Sequence, residues 1–244
     1  MTSRQPLADD DHPAIQAQAR GLTDGRRERR DMLESLFFFV RDDIRFGFPP
    51  KWDAVKASET LGYGIGYCTT KATLFLALCR AAGIPARVHA GLISLEIMHG
   101  IFPAFALRFL PEAGGHAWLE VELDGAWRPL DSYINDRRFY RGALARLEAS
   151  GRATGFSLSR AKGPTSCAFN FGEAGFVHMG AVVDDQGTWE DVADYLASPA
   201  YRRMRPEERV AYPLLAWMAN RAIEGIRRSV SAVATAADAA PPTA

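Results

Sequence analysis

The stretch Gly64-Ile65-Gly66-Tyr67-Cys68-Thr69-Thr70 decides the fold. Its glycines allow a tight bend, and the bend delivers a cysteine to the start of a helix-forming run. Between Thr69 and Ala82, Leu74, Leu78 and Ala81 form one apolar stripe, and Phe75, Cys79 and Ala82 form a second. A helix that is apolar on two sides is buried. Gly83-Ile84-Pro85 ends it with a glycine cap and a proline that cannot continue the helix. Cys68 therefore stands at the N-terminus of a buried helix. There the positive end of the backbone dipole favours thiolate over thiol.

Three strands are expected after this helix: Ala86 to Leu95, Ala104 to Leu110, and His116 to Leu123 with its return Ala126 to Asp131. Asp124-Gly125 is a two-residue hairpin signal. It sets Leu123 opposite Ala126 and, counting back, Trp118 opposite Asp131, with His116 two positions further along the same face. Diagonal neighbours of this kind lie roughly 7–8 Å apart at the backbone, a gap that an imidazole and a carboxylate can close. The opposite face carries Leu119, Val121, Leu123 and Leu130, as a core side should, with Arg128 as a misfit. Pro129 marks an edge or a bulge.

Nucleophile, base and orienting acid are thus present as Cys68, His116 and Asp131. The acid would fix the ring's tautomer and leave its other nitrogen for the thiol. Asp136 is a rival for the orienting role. Trp118 reads as a wall against water, and Tyr67 and Trp52 as pocket or oxyanion residues. The backbone amide of Cys68 is the better oxyanion donor. Cys79 lies roughly 16 Å along the helix from Cys68, too far for a disulfide. Cys79 and Cys167 read as structural, as do His12, His89, His99 and His178. His89, on one strand face with Arg87, could line a pocket. The chain has no C-x-x-C or H-x-x-x-H spacing, no phosphate-binding or dinucleotide glycine pattern and no calcium loop, so neither metal nor cofactor is expected.

The 244 residues carry 29 Lys and Arg against 29 Asp and Glu, and 48% of them are hydrophobic. A packed core follows, and a balance of charge argues against nucleic-acid or anionic-membrane partners. No run reaches the length of a membrane span. Three cysteines and a polar start predict a cytoplasmic protein. Residues 1–12 are expected to be loose. A single domain is expected over 13–230, with a core at about 30–135, and the Ala/Pro/Thr-rich end, 231–244, is expected to be disordered. Helices are expected at Asp31 to Asp42, Phe139 to Ala149, Trp189 to Leu196 and Glu207 to Arg228, and loops with short strands over Gly151 to Gly180.

These residues resemble the transglutaminase-like superfamily, specifically its small bacterial members. The resemblance lies in Gly66-Tyr67-Cys68-Thr69-Thr70-Lys71-Ala72, continues through Leu78 to Val88, resumes at His116-Ala117-Trp118-Leu119-Glu120-Val121 and closes at Trp127-Arg128-Pro129-Leu130-Asp131. A weaker similarity extends through Phe176-Val177-His178-Met179-Gly180. The resemblance implies a papain-like α+β fold, with the cysteine helix on an antiparallel sheet. It also implies Cys68 as nucleophile, His116 as base and Asp131 as orienter. Its members cross-link, hydrolyse or transfer acyl groups, so fold alone does not choose among reactions. Cysteine-dependent acyl transfer is expected at an amide or thioester carbonyl of a peptide, protein or small molecule, with water or an amine as acceptor. The non-catalytic alternative is a binding module that retains the fold. The oligomeric state stays open.

Overall fold

In a computed structural model, residues 5–172 and 175–238 are described; for 230–238 only the backbone is. The architecture is α+β, a helical layer packed on one antiparallel sheet. The chain begins with α1 (Pro13–Thr23), α2 (Arg29–Phe38), β1 (Arg45–Phe46), α3 (Ala57–Tyr63), β2 (Ile65–Gly66) and α4 (Cys68–Ala81). It continues through β3 (Ala86–Ser94), α5 (Ala104–Leu107), β4 (Ala113–Leu123), β5 (Ala126–Leu130) and α6 (Arg137–Ser150). The last elements are β6 (Thr154–Gly155), β7 (Leu158–Ser159), β8 (Val182–Trp189), α7 (Val192–Ala197) and α8 (Pro206–Asp238).

The main sheet runs β5-β4-β3-β8, all antiparallel. The β4–β5 hairpin has the expected register, Leu123 to Ala126 through Leu119 to Leu130. Asp124 and Gly125 both take positive φ, 54° and 74°, as the tight turn requires. Leu119, Val121, Leu123 and Leu130 are buried, and the misfit Arg128 points to solvent. On β3, Gly91 stands opposite His116. A Cβ there would meet the backbone Asp184 O at 2.5 Å, so a glycine allows the close approach of β8, with the Trp118 ring in contact at 3.4 Å.

Helix α4 is central. Every residue from Thr69 to Cys79 is buried, and α4 packs on α1, α2 and α3 as well as on β3 and β4. Gly66 precedes it because a Cβ there would meet Thr70 Oγ1 at 2.7 Å and Lys71 Cγ at 2.9 Å. Buried Lys71 donates to Ile134 O (2.8 Å) and Arg41 O (3.3 Å). Burial lowers its pKa to about 7, partly opposed by the carboxylates of Asp136 and Asp42. Unfolded Lys71 holds its proton to about pH 10.4, so between the two values the unfolded chain binds the extra proton and stability rises with pH. Denaturation midpoints should therefore climb from pH 7 to 9 in the wild type, by at most ~1.4 kcal/mol per pH unit. That slope should flatten in Lys71→Met.

Several expectations are corrected. Ala104–Leu110 is not a strand. Its first residues form α5, started by Pro103, and the edge of β3 that it would pair with is taken by β8. Strand β8 was not expected. It is a polar edge strand with Asp184 and Asp185 outward and register shifts along its pairing. Helix α7 starts at Val192, three residues later than the expected Trp189. The helix expected over Asp31 to Asp42 runs from Arg29 to Phe38 and continues as a wider π-turn, Phe39–Asp43. The N-terminal segment is tied down from Leu7 onward: Leu7 N–H and Ala8 N–H donate to the Asp191 carboxylate, and Asp9 accepts from Ser58. Residues 1–4 lie outside the described residues. Helix α8 continues to Asp238, so the expected disorder does not begin at 231, and 239–244 lie outside the described residues. Among the described residues no helix is long and apolar enough to cross a membrane.

Candidate active site

Three elements converge. The N-terminus of α4 presents Cys68, the start of β4 presents His116, and the residue after β5 presents Asp131. The Tyr67 N–H donates to Thr70 Oγ1 (3.0 Å) and fixes the start of the helix. Cys68 is half-buried, with Sγ 3.7 Å from Thr69 Oγ1. As the first helical residue, its own N–H has no carbonyl within the helix to bind.

His116 is buried, and its Nε2 lies 3.3 Å from Asp131 Oδ1. The pair is close without the alignment of a hydrogen bond, a looseness common in catalytic pairs before substrate binds. Nδ1 is then the ring nitrogen left for the thiol. Burial alone would push the His116 pKa down. The Asp131 carboxylate and the Cys68 thiol outweigh it, and the net shift is upward. Asp131 is fully buried. Burial would push its pKa up, but the imidazoles of His178 and His116 hold it well below the usual carboxylate range. Trp118 packs on His116 with ring centroids 5.6 Å apart and on His89 at 4.3 Å, closing that side to water.

His178, expected to be structural, belongs to this cluster. Its N–H donates to Asp131 Oδ2 (2.9 Å), its Nδ1 lies 3.6 Å from Asp131 Oδ1, and its Nε2 bonds Ser157 Oγ (2.8 Å). Ser157 is buried at a positive φ of 57° and also bonds Asn135 Oδ1 (3.2 Å). Asp131 is thereby clamped from two sides. His116, Asp131 and His178 offer ligand-type atoms within 4.8 Å of one another. Two imidazoles and a carboxylate suit zinc, and a cation there would occupy the same nitrogen and oxygen atoms with which His116 and Asp131 face each other.

Other assignments also change. Asp136 does not reach His116. It caps α6, accepting from Phe139 N–H (2.9 Å), and pairs with Arg227. The Tyr67 hydroxyl is committed to Asp53, and Trp52 Nε1 donates to Tyr201 Oη (3.2 Å), so neither is free for an oxyanion. Both do line the cavity. Asp53 is a buried acid the sequence reading missed. Burial raises its pKa against the opposing hydroxyls of Tyr201 and Tyr67. His89 is turned away, held between Glu120 and Asp185 at 2.7 Å each. Cys79 is fully buried with its thiol pKa pushed up by burial, and burial raises Cys167 as well.

Cys68, His116 and His178 open on one cavity of about 750 Å³. Residues 16–132 match the family model of the Transglutaminase-like superfamily. They form a transglutaminase-like domain. The family is one of cysteine-based catalysts, and the matched span includes Cys68, His116 and Asp131 but not His178. No curated protein matches the chain. Three solved structures are similar. A candidate cysteine protease from Cytophaga hutchinsonii is 16% identical, with TM-score 0.46 over 79% of this chain and 46% of that one. A candidate protease from Parabacteroides distasonis is 15% identical, with TM-score 0.38 over 52% and 24%. The periplasmic domain of TgpA from Pseudomonas aeruginosa, bound to ethylmercury, is 21% identical, with TM-score 0.38 over 55% and 47%. The chain thus spans less than half the length of each.

Proposed function

We propose that the protein catalyses acyl transfer through Cys68, with His116 as proton carrier and Asp131 as its orienting anion. The observation that carries this reading is the position of His116. One ring nitrogen faces a carboxylate held far below its normal pKa, and the thiol that raises the ring's own pKa lies at a helix N-terminus.

In the first half-reaction the thiolate attacks the carbonyl carbon of an amide or thioester and a C–S bond forms. The carbonyl oxygen becomes an oxyanion, which the Cys68 backbone N–H, unpaired within the helix, is placed to receive. Imidazolium His116 gives its proton to the departing amine or thiol as the bond to the leaving group breaks. In the second half, His116 takes a proton from water or an amine that attacks the thioester, and the thiolate leaves. Asp131 stays ionised throughout and stabilises the imidazolium.

The test is a set of acyl thioesters of N-acetylcysteamine followed by intact-protein mass measurement. The reading predicts a single acyl adduct on Cys68, absent in Cys68→Ala, and diversion of the acyl group to a hydroxamate when hydroxylamine is added. Adducts spread over all three cysteines, or none with any thioester, would instead favour a non-catalytic binding module.

A further inference from the structure

The shape and lining of the cavity beside Cys68 bear on what the acyl donor is. Its lining includes Cys68, His116, Ser157, His178 and Asp53. The lining also includes an ion cluster that satisfies itself: Arg202 and Arg205 both pair with Glu208, at 2.7 Å and 3.1 Å. The rest of the wall is largely hydrocarbon, including Ile93, Leu95, Ile97, Phe102, Phe109 and Leu215. Phe105 and Phe109 stand 60% and 78% exposed although they line this space. Large apolar side chains left in water beside a cavity mark a surface that a ligand covers. About 750 Å³ is well within the range of cavities that enclose whole small-molecule ligands.

An extended peptide would bring an N–H and a C=O at every residue into this stretch, and each buried polar group left unpaired is costly. A chain without internal polar groups carries no such cost and gains from every methylene buried. Resting on the acyl-transfer reading above, we infer that the acyl donor is an aliphatic carboxylic acid derivative. Its carbonyl sits at Cys68 and its hydrocarbon tail lies along Ile93, Leu95, Ile97, Phe102, Phe109 and Leu215. Acylation forms the Cys68 S–C bond and releases the donor's thiol or amine, protonated by His116. Water then cleaves the thioester and frees the fatty acid, or an amine takes the acyl group as an amide.

The experiment is a series of N-acetylcysteamine thioesters from acetyl to decanoyl, with phenylacetyl added, each below its aggregation threshold. Thioester loss gives kcat/KM, and intact mass confirms the Cys68 adduct. The expectation is a rise of up to about fourfold per methylene, levelling once the cavity is full. Leu215→Trp, which adds bulk to a partly exposed wall residue, should lower the decanoyl rate at least about tenfold more than the acetyl rate. Cys68 acylation that is flat or falling with chain length, or that favours phenylacetyl over aliphatic donors, would overturn the aliphatic assignment while leaving acyl transfer standing. So would equal decanoyl rates in Leu215→Trp and the wild type. No Cys68 adduct with any thioester would overturn both.

Discussion

Asp131→Asn is expected to lower kcat/KM by about 10²- to 10⁴-fold and to move the alkaline limb of its pH profile to lower pH. The sign follows from the site. The Asp131 carboxylate and the Cys68 thiol raise the His116 pKa against burial. An amide in place of the carboxylate keeps the shape and removes the charge. The imidazolium then loses its proton earlier as pH rises, and with it the proton owed to the leaving group. The fold should survive, because asparagine can still accept the His178 N–H that Asp131 Oδ2 accepts now. Measuring kcat/KM from pH 5 to 10 in both proteins, with thermal midpoints alongside, separates chemistry from folding. An unmoved alkaline limb would mean that the carboxylate does not govern the ring.

Arg227→Met is expected to cost about 3–5 kcal/mol of stability. Arg227 and Asp136 are both buried, with Nη2 and Oδ2 paired, and the same guanidinium donates to Phe46 O. Asp136 also accepts from Phe46 N–H (3.0 Å) and caps α6. One ion pair thus ties α8 to β1 and α6. Burial pushes the Asp136 pKa up; Arg227 and the backbone donors bring it below the usual value. Without the arginine a carboxylate is left buried and uncompensated, and its pKa rises. Protonation then relieves it, so the gap between variant and wild type should narrow as pH falls through the carboxylate range. Urea midpoints at pH 7 and pH 4 test both the size and the sign. A loss under about 1 kcal/mol would place the pair among those that contribute little.

The parts legible in the sequence were those with strong local signals. The double apolar stripe of α4 and its Gly83-Ile84-Pro85 stop marked a buried helix, and Asp124-Gly125 fixed the hairpin register that sets His116 diagonal to Asp131. Strand β8 was hidden because Val182-Val183-Asp184-Asp185-Gln186-Gly187 is an edge with little to bury, and so shows no alternation. Its unseen place on β3 led Ala104–Leu110 to be read as a strand. His178 was missed because it lies 47 residues from Asp131, beyond any hairpin register, and reaches it from a loop, through its backbone N–H and through Nδ1. The similarity around Phe176 to Gly180 was the one hint. Asp53 gave none, since the two tyrosines that hold it, Tyr67 and Tyr201, lie 14 and 148 residues away, spacings that no helix or hairpin pattern encodes.

The central claim is that thiol and imidazole at Cys68 and His116 act as one reactive unit. The most direct measurement is the rate of iodoacetamide alkylation of each cysteine against pH, resolved by peptide mass, in the wild type and in His116→Ala. The account predicts that Cys68 reacts at pH 6 far faster than Cys79 or Cys167, and that the difference disappears in His116→Ala. Equal labelling of all three cysteines, or a Cys68 rate untouched by loss of the ring, would contradict it.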